Sequence, residues 1–108
     1  MQNSKILSML GLATKAGKTA SGEETVVAEM QKRRAEIVFV SEEASLNTRN
    51  KLKNKGDFYG IPVVICFSKE ELGKATGKET RTVVAVLDKG FAGAIDKLIK
   101  TDHDHAEV

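Results

Sequence analysis

The amino-acid sequence predicts an α/β domain, a three-layer αβα sandwich. Three apolar runs of strand length, at residues 37–40, 61–67 and 82–87, alternate with segments of helical periodicity. Each run is almost continuously apolar and rich in β-branched residues, the pattern of strands covered on both faces. At 108 residues the chain can bury a core without disulfides or metal. No repeat or linker interrupts it. One domain over residues 1–100 is expected, followed by an acidic tail over 101–108.

The elements follow in order. Ile6, Leu7, Met9, Leu10, Leu12 and Ala13 recur at helical spacing, so residues 4–16 read as an amphipathic helix ending before Gly17. Ser21 and Glu24 have capping-box spacing and open a second helix, with Val26, Val27 and Met30 inward, running to about Arg34. Residues 37–40 form the first strand. The polar loop at 41–45 leads to a basic helix over 47–59, with Leu52 and Phe58 as its apolar members. Gly60, Ile61 and Pro62 turn the chain into the second strand.

Ser68 and Glu71 form a further capping box, and Gly77 stands where a left-handed C-terminal cap is wanted. The result is a short capped helix, then a loop of Lys78, Glu79, Thr80 and Arg81 into the third strand, centred on residues 83–86. Asp88 is the N-cap of a last helix over 91–100, with Phe91, Ile95, Leu98 and Ile99 inward.

Seventeen Lys and Arg against 15 Asp and Glu give a net charge of +2. The last eight residues hold three of the acidic groups and no Lys or Arg, so the body carries 17 basic against 12 acidic residues, or +5. That excess suits a nucleic-acid surface without requiring one. The single cysteine, Cys66, sits in an apolar run, where a buried thiol in a reducing compartment is the natural reading. The first residues lack a basic leader followed by an apolar stretch, and no apolar run nears the length of a membrane span. A cytoplasmic location is expected.

Catalytic patterns are weak. Gly17-Lys18-Thr19 imitates a phosphate loop, but the earlier glycine such a loop needs falls at Leu12, and the segment follows a helical pattern where a strand is required. Asp88 imitates a magnesium-holding strand end, which a helix N-cap explains more simply. Both histidines, His103 and His105, lie in the acidic tail, where disorder is expected and no fixed metal geometry follows. Glu23 and Glu24 complement a helix dipole. No nucleophile is assembled with a base, so no enzyme, cofactor or metal centre is expected.

The basic residues need a separate account. Arg49, Lys51, Lys53 and Lys55 read as a solvated helix face. Lys15 and Lys18 flank the turn into Ser21 and Gly22, and Gly22 permits close approach of another backbone. Lys69, Lys78 and Arg81 surround the short helix beginning at Ser68. An αβα sandwich can gather such junctions on one edge, where a rigid scaffold aims them. Five aromatics, mostly at apolar positions, offer no stacking platform. That points away from single strands and toward folded RNA read by shape and edges. A protein-docking module, or a nucleotide binder using Lys18 and Asp88, are the alternatives.

Gly22, the run Ile37-Val38-Phe39-Val40-Ser41-Glu42-Glu43, the Gly60-Ile61-Pro62-Val63 turn, and Ser68-Lys69 with Glu71, Leu72, Gly73, Ala75 and Gly77 together resemble the L7Ae ribosomal protein family, which binds kink-turn RNA. The resemblance covers about residues 5–99. Leu10-Gly11-Leu12-Ala13, Lys15-Ala16-Gly17-Lys18 and Ser21-Gly22-Glu23-Glu24 look like its small bacterial YlxQ-type branch, encoded among translation factors.

The resemblance implies a four-stranded mixed sheet, with an extra short strand near residues 18–20, and an RNA site on one edge. It implies that Gly22 and Lys69 contact RNA. It also implies that the loop at 78–83, including Lys78, Arg81, Thr82 and Val83, surrounds a flipped-out nucleotide, with Arg81 able to pair a phosphate bidentately. The family's base-reading Asn-Glu pair falls on Glu24 and Thr25 without gaps, or on Glu23 and Glu24 after a one-residue shift. Either way the Asn is missing, and a carboxylate cannot donate to guanine O6 although it still accepts from guanine N–H groups. The expected partner is a structured, kinked RNA such as ribosomal RNA, bound by a monomer, with Lys18, Lys69 and Arg81 neutralising phosphates.

Overall fold

The computed structural model describes the backbone of residues 3–106 and the side chains of residues 3–100. Five helices and four strands alternate: α1 (Asn3–Lys15), β1 (Thr19–Ser21), α2 (Glu23–Gln31), β2 (Ile37–Val40), α3 (Leu46–Tyr59), β3 (Val63–Ile65), α4 (Lys69–Ala75), β4 (Val83–Val86) and α5 (Lys89–Ala106). The strands form one mixed sheet in the order β1-β4-β2-β3. β4 pairs antiparallel with β1, Thr19 opposite Val86 and Ser21 opposite Val84, and with β2, Ile37 opposite Val86 and Val40 opposite Val83. β2 and β3 run parallel, Val38 beside Val63 and Val40 beside Ile65.

Strand side chains alternate between faces, and both faces are buried. Ile37, Phe39, Val84 and Val86 join Ile6, Leu10, Leu72 and Ile95 beneath α1, α4 and α5. Val38, Val40, Val83 and Ala85 join Val26, Met30 and Leu52 beneath α2 and α3. This is the expected αβα sandwich, and it explains why β2 and β4 read as unbroken apolar runs.

Local expectations hold where one side chain decides the matter. Ser68 and Glu71 form the capping box of α4, and Asp88 Oδ2 accepts from Phe91 N at 2.9 Å. Others needed tertiary information. β3 is confined to residues 63–65, because Phe67 turns out of the ladder at φ 78°. α2 ends at Gln31, three residues early: Arg33 N donates to Met30 O and Arg34 N to Glu29 O, closing a Schellman turn with Arg33 left-handed at φ 59°. The backbone of α5 is described to Ala106, whereas the side chains of 101–108, including those of the expected disordered tail and its two histidines, lie outside the described residues.

Candidate nucleic-acid interface

Strand directions place the ends of β1, β2 and β3 and the start of β4 at one pole of the sheet. Three helices, α2, α3 and α4, begin there. The chain is locked at this pole by backbone bonds between distant segments. Gly22 N donates to Val83 O at 2.9 Å, Ser41 N to Thr82 O at 2.8 Å, Glu42 N to Phe67 O at 2.9 Å, and Arg81 N to Lys69 O at 2.9 Å. Ser41 is fully buried, and its hydroxyl donates to Phe67 O at 3.0 Å while accepting from Glu43 N. Gly22, Lys69, Arg81 and Thr82 are thereby brought together from three separate stretches.

Gly73 sets the path of the loop before β4. A Cβ there would lie 2.6 Å from Glu79 O and Thr80 Cα, so the glycine lets residues 79–80 lie directly on α4. The loop starts where Lys78 N meets Gly73 O and ends where Arg81 N meets Lys69 O. It therefore runs back along the helix and delivers Arg81 to the pole. Lys78 stays near the opposite end of α4, whose seven residues span about 10 Å.

Arg81 is half-buried and oriented. Its Nε donates to Ser21 Oγ at 3.0 Å and its Nη1 to Thr80 O at 2.9 Å. A guanidinium has five N–H donors, so three remain unused among the described residues. The Ser21 contact also explains a failed expectation. Ser21 does not cap α2. It is the last residue of β1, its hydroxyl faces Arg81, and Gly22 is the N-cap at φ 98° and ψ 141° with no side-chain bond.

The two neighbouring carboxylates have separate environments. Glu23 accepts from Thr48 Oγ1 at 2.8 Å and from Lys51 Nζ at 3.0 Å, which ties α2 to α3. The Thr48 hydrogen bond, followed by that of Lys51, holds its carboxyl below the usual value. Glu24 is exposed and has no hydrogen-bond partner among the described residues. Glu43 Oε1 accepts from Lys69 N at 2.8 Å. Glu24 is thus the free carboxylate beside Gly22.

The match to known proteins is extensive. The family model for "Ribosomal protein L7Ae/L30e/S12e/Gadd45 family" matches residues 4–95. The chain belongs to this family. It is 43% identical over 91 residues to an RNA-binding protein YlxQ of Bacillus subtilis (strain 168), covering 84% of this chain and 91% of that protein. It is 40% identical over 96 residues to an RNA-binding protein YlxQ of Enterococcus faecium, covering 89% and 92%. A solved structure of a protein with unknown function from Bacillus halodurans C superposes with a TM-score of 0.86 at 40% identity, covering 89% of this chain and 97% of that one. A Giardia lamblia 15.5kD RNA binding protein has the same fold, with a TM-score of 0.81 at 16% identity and coverage of 92% and 85%.

Within this L7Ae-family fold the sequence-derived site residues divide. Lys18 is not at the pole: its carbonyl accepts from Leu87 N at the opposite end of β1. It is four residues from Gly22, about 13 Å of extended chain. Val83 is fully buried with its carbonyl taken by Gly22, so its side chain offers no contact surface. Gly17-Lys18-Thr19 follows a helix and opens a strand, the reverse of a phosphate loop, and the Asp88 carboxylate is engaged in capping α5. No cluster of three or more metal-ligating groups exists among the described residues, and no described helix is long and apolar enough to cross a membrane.

Sequence reasoning missed two features. Ser21 gave no sign of holding Arg81, because a residue in a three-residue strand of small side chains carries no periodic signal. Phe58 counts with Leu52 as an apolar member of α3 in the sequence, yet it is 77% exposed where Leu52 is fully buried. On a helix of 3.6 residues per turn it stands well away from Leu52 and Gly56, the buried pair.

Proposed function

We propose that this chain is a non-enzymatic RNA-binding protein that recognises a kinked, structured RNA of the kink-turn kind, in a ribosomal RNA setting in the cytoplasm. The observation that carries the reading is the joining of Gly22 to Val83 and of Lys69 to Arg81 at one pole. A glycine notch there lies beside an oriented guanidinium and a free carboxylate. Family membership and the printed names of the YlxQ relatives support it.

Gly22, lacking a side chain, admits the RNA backbone. Glu24 accepts from guanine N–H groups while Glu23 stays engaged with Thr48 and Lys51. Arg81 and Lys69 neutralise phosphates at the pole, Lys78 does so along the α4 flank, and Thr82 contributes from the loop around an extruded base. No cofactor is implied. With about three phosphates neutralised, log affinity falls with log salt at a slope near −2 to −3. Titration of a kink-turn duplex at several salt concentrations tests the reading. Absence of binding, or binding that is indifferent to replacement of the G·A pairs, overturns it.

A further inference from the structure

The far ends of α2 and α3 carry a feature that the first pole does not use. Phe58 is 77% exposed, the most exposed of the large apolar side chains among the described residues. Its ring meets Tyr59 edge-on, with centroids 4.9 Å apart at 90°. Arg33, from the turn after α2, lies over the Tyr59 ring with Cζ 5.5 Å from the centroid. Tyr59 is half-buried, so it fixes the edge of an otherwise free Phe58 ring and holds the guanidinium nearby.

The surroundings are cationic. Lys51, Lys55 and Phe58 are spaced four and three residues apart on α3, which places them in one stripe on the helix surface. Lys51 begins that stripe at the Glu23 contact, close to the first pole. Lys32 and Arg33 flank its other end across the α2–α3 seam. Lys18 stands at the same end of the sheet, beside Leu87. Of the nearby acids, Glu29 is paired with Arg34 at 2.7 Å. Asp57 lines a separate hollow with Lys53, Ile61 and Pro62.

Arg33 is also an unusual residue for its place. The Schellman turn needs a left-handed residue, normally glycine, and Arg33 adopts φ 59° there. A non-glycine residue in that conformation is disfavoured, and such strain marks positions whose side chain is wanted. The side chain retained at that cost is a cation set against an aromatic pair.

We infer that the α2–α3 face is a second RNA contact, in which Phe58 stacks on an unpaired base and Arg33, Lys55 and Lys51 follow the flanking phosphates toward the first pole. Aromatic faces between cations bind single-stranded nucleic acid without strict sequence preference. The inference rests on the RNA-binding reading above and extends it from the bent duplex to a single-stranded flank. Lys51 and Phe58 are seven residues apart on α3, about 10 Å, so the stripe spans only a short run of nucleotides, with Arg33 at its end.

Two probes test it: a labelled oligouridylate of about twelve nucleotides, within the usual site sizes for single strands, and a blunt kink-turn duplex. In the full chain, Phe58→Ser weakens oligouridylate binding about five- to 150-fold, the range for loss of one stacked base, and leaves the blunt duplex affinity unchanged. Arg33→Gly weakens oligouridylate binding and flattens its salt slope by about 0.7, while its melting temperature holds or rises because glycine relieves the left-handed position. Failure of the wild type to bind oligouridylate, or unchanged affinity in either variant, overturns the inference. Loss of a co-purifying protein in Phe58→Ser alongside unchanged oligouridylate binding overturns it in favour of protein docking. Failure of the wild type to bind the blunt duplex sinks the reading of the first pole instead.

Discussion

Arg81 and Ser21, 60 residues apart, meet through a 3.0 Å hydrogen bond from Nε to Oγ. The bond joins the start of β4 to the end of β1 and orients the guanidinium beside Gly22. Arg81→Ala is expected to weaken RNA binding about ten- to 100-fold, the range for a hydrogen bond to a charged group. Lys53→Ala, on the far flank of α3, should change it less than about twofold if its charge acts only through screened attraction. Arg81→Lys keeps the charge but loses the fork and the Ser21 contact, so it should resemble Arg81→Ala. Filter binding at fixed salt measures all three, and equal effects of Arg81→Ala and Lys53→Ala would point to diffuse attraction.

The Glu23 contact with Thr48 and Lys51 makes stability depend on pH. The folded-state pKa is depressed below the ordinary carboxylate value of 4.5, so the stabilisation is present above that value and is lost as pH falls through the folded pKa. Lys51 is well exposed, which keeps the contribution to about half a kcal/mol. Glu23→Gln should therefore melt slightly below the wild type at pH 7 and converge with it toward pH values below 4.5. Thermal melts across that range provide the measurement; a gap that widens on acidification contradicts the assignment.

Gly73 and Gly77 lie four residues apart and should respond differently to alanine. At Gly73 the added Cβ meets the backbone of Glu79 and Thr80 at 2.6 Å. Gly73→Ala should cost about 1–3 kcal/mol and, by displacing the loop, impair RNA binding as well. At Gly77 there is open space but φ is 73°, so Gly77→Ala should cost about 1 kcal/mol with RNA affinity retained. Urea denaturation and binding of the folded variants separate the two.

Cys66 is buried, and burial, more than the nearby Glu42 charge, pushes its thiol pKa above the usual range for a thiol. It should resist thiol reagents in the native state at pH 7 and react fully in denaturant. Labelling followed by mass spectrometry reads this directly. Rapid native labelling would show that the strand end opens more readily than its packing allows.

Much of the fold was legible because its signals are local. The Ser68–Glu71 box, the Asp88 cap and the apolar runs of β2 and β4 each sit within a few residues of what they determine. β1 was not legible from pattern: Thr19, Ala20 and Ser21 are small and too few to carry a periodic signal, and only the family resemblance placed a strand there. Ser21 and Glu24 satisfied a capping rule that tertiary pairing overrode, since Arg81 and the β4 ladder claim Ser21 first. The site was half legible. Chain direction sends Gly22 and Arg81 to one pole and Lys18 to the other, and strand order is not written in any single segment. The exposure of Phe58 escaped notice because hydrophobicity alone does not give orientation: its position on α3 is about 120° from Leu52 and about 160° from Gly56, the buried pair.

β4 is paired on both sides, with β1 before it in the chain and β2 between them, and it also supplies the loop that carries Arg81. During synthesis from the amino terminus, roughly the first 80 residues must wait before the central ladder can close. A nascent chain that has emerged only through α4 holds β1 beside no partner and has no guanidinium at Ser21. The pole around Gly22 is therefore completed last, when residues 81–83 emerge and the central strand closes the sheet.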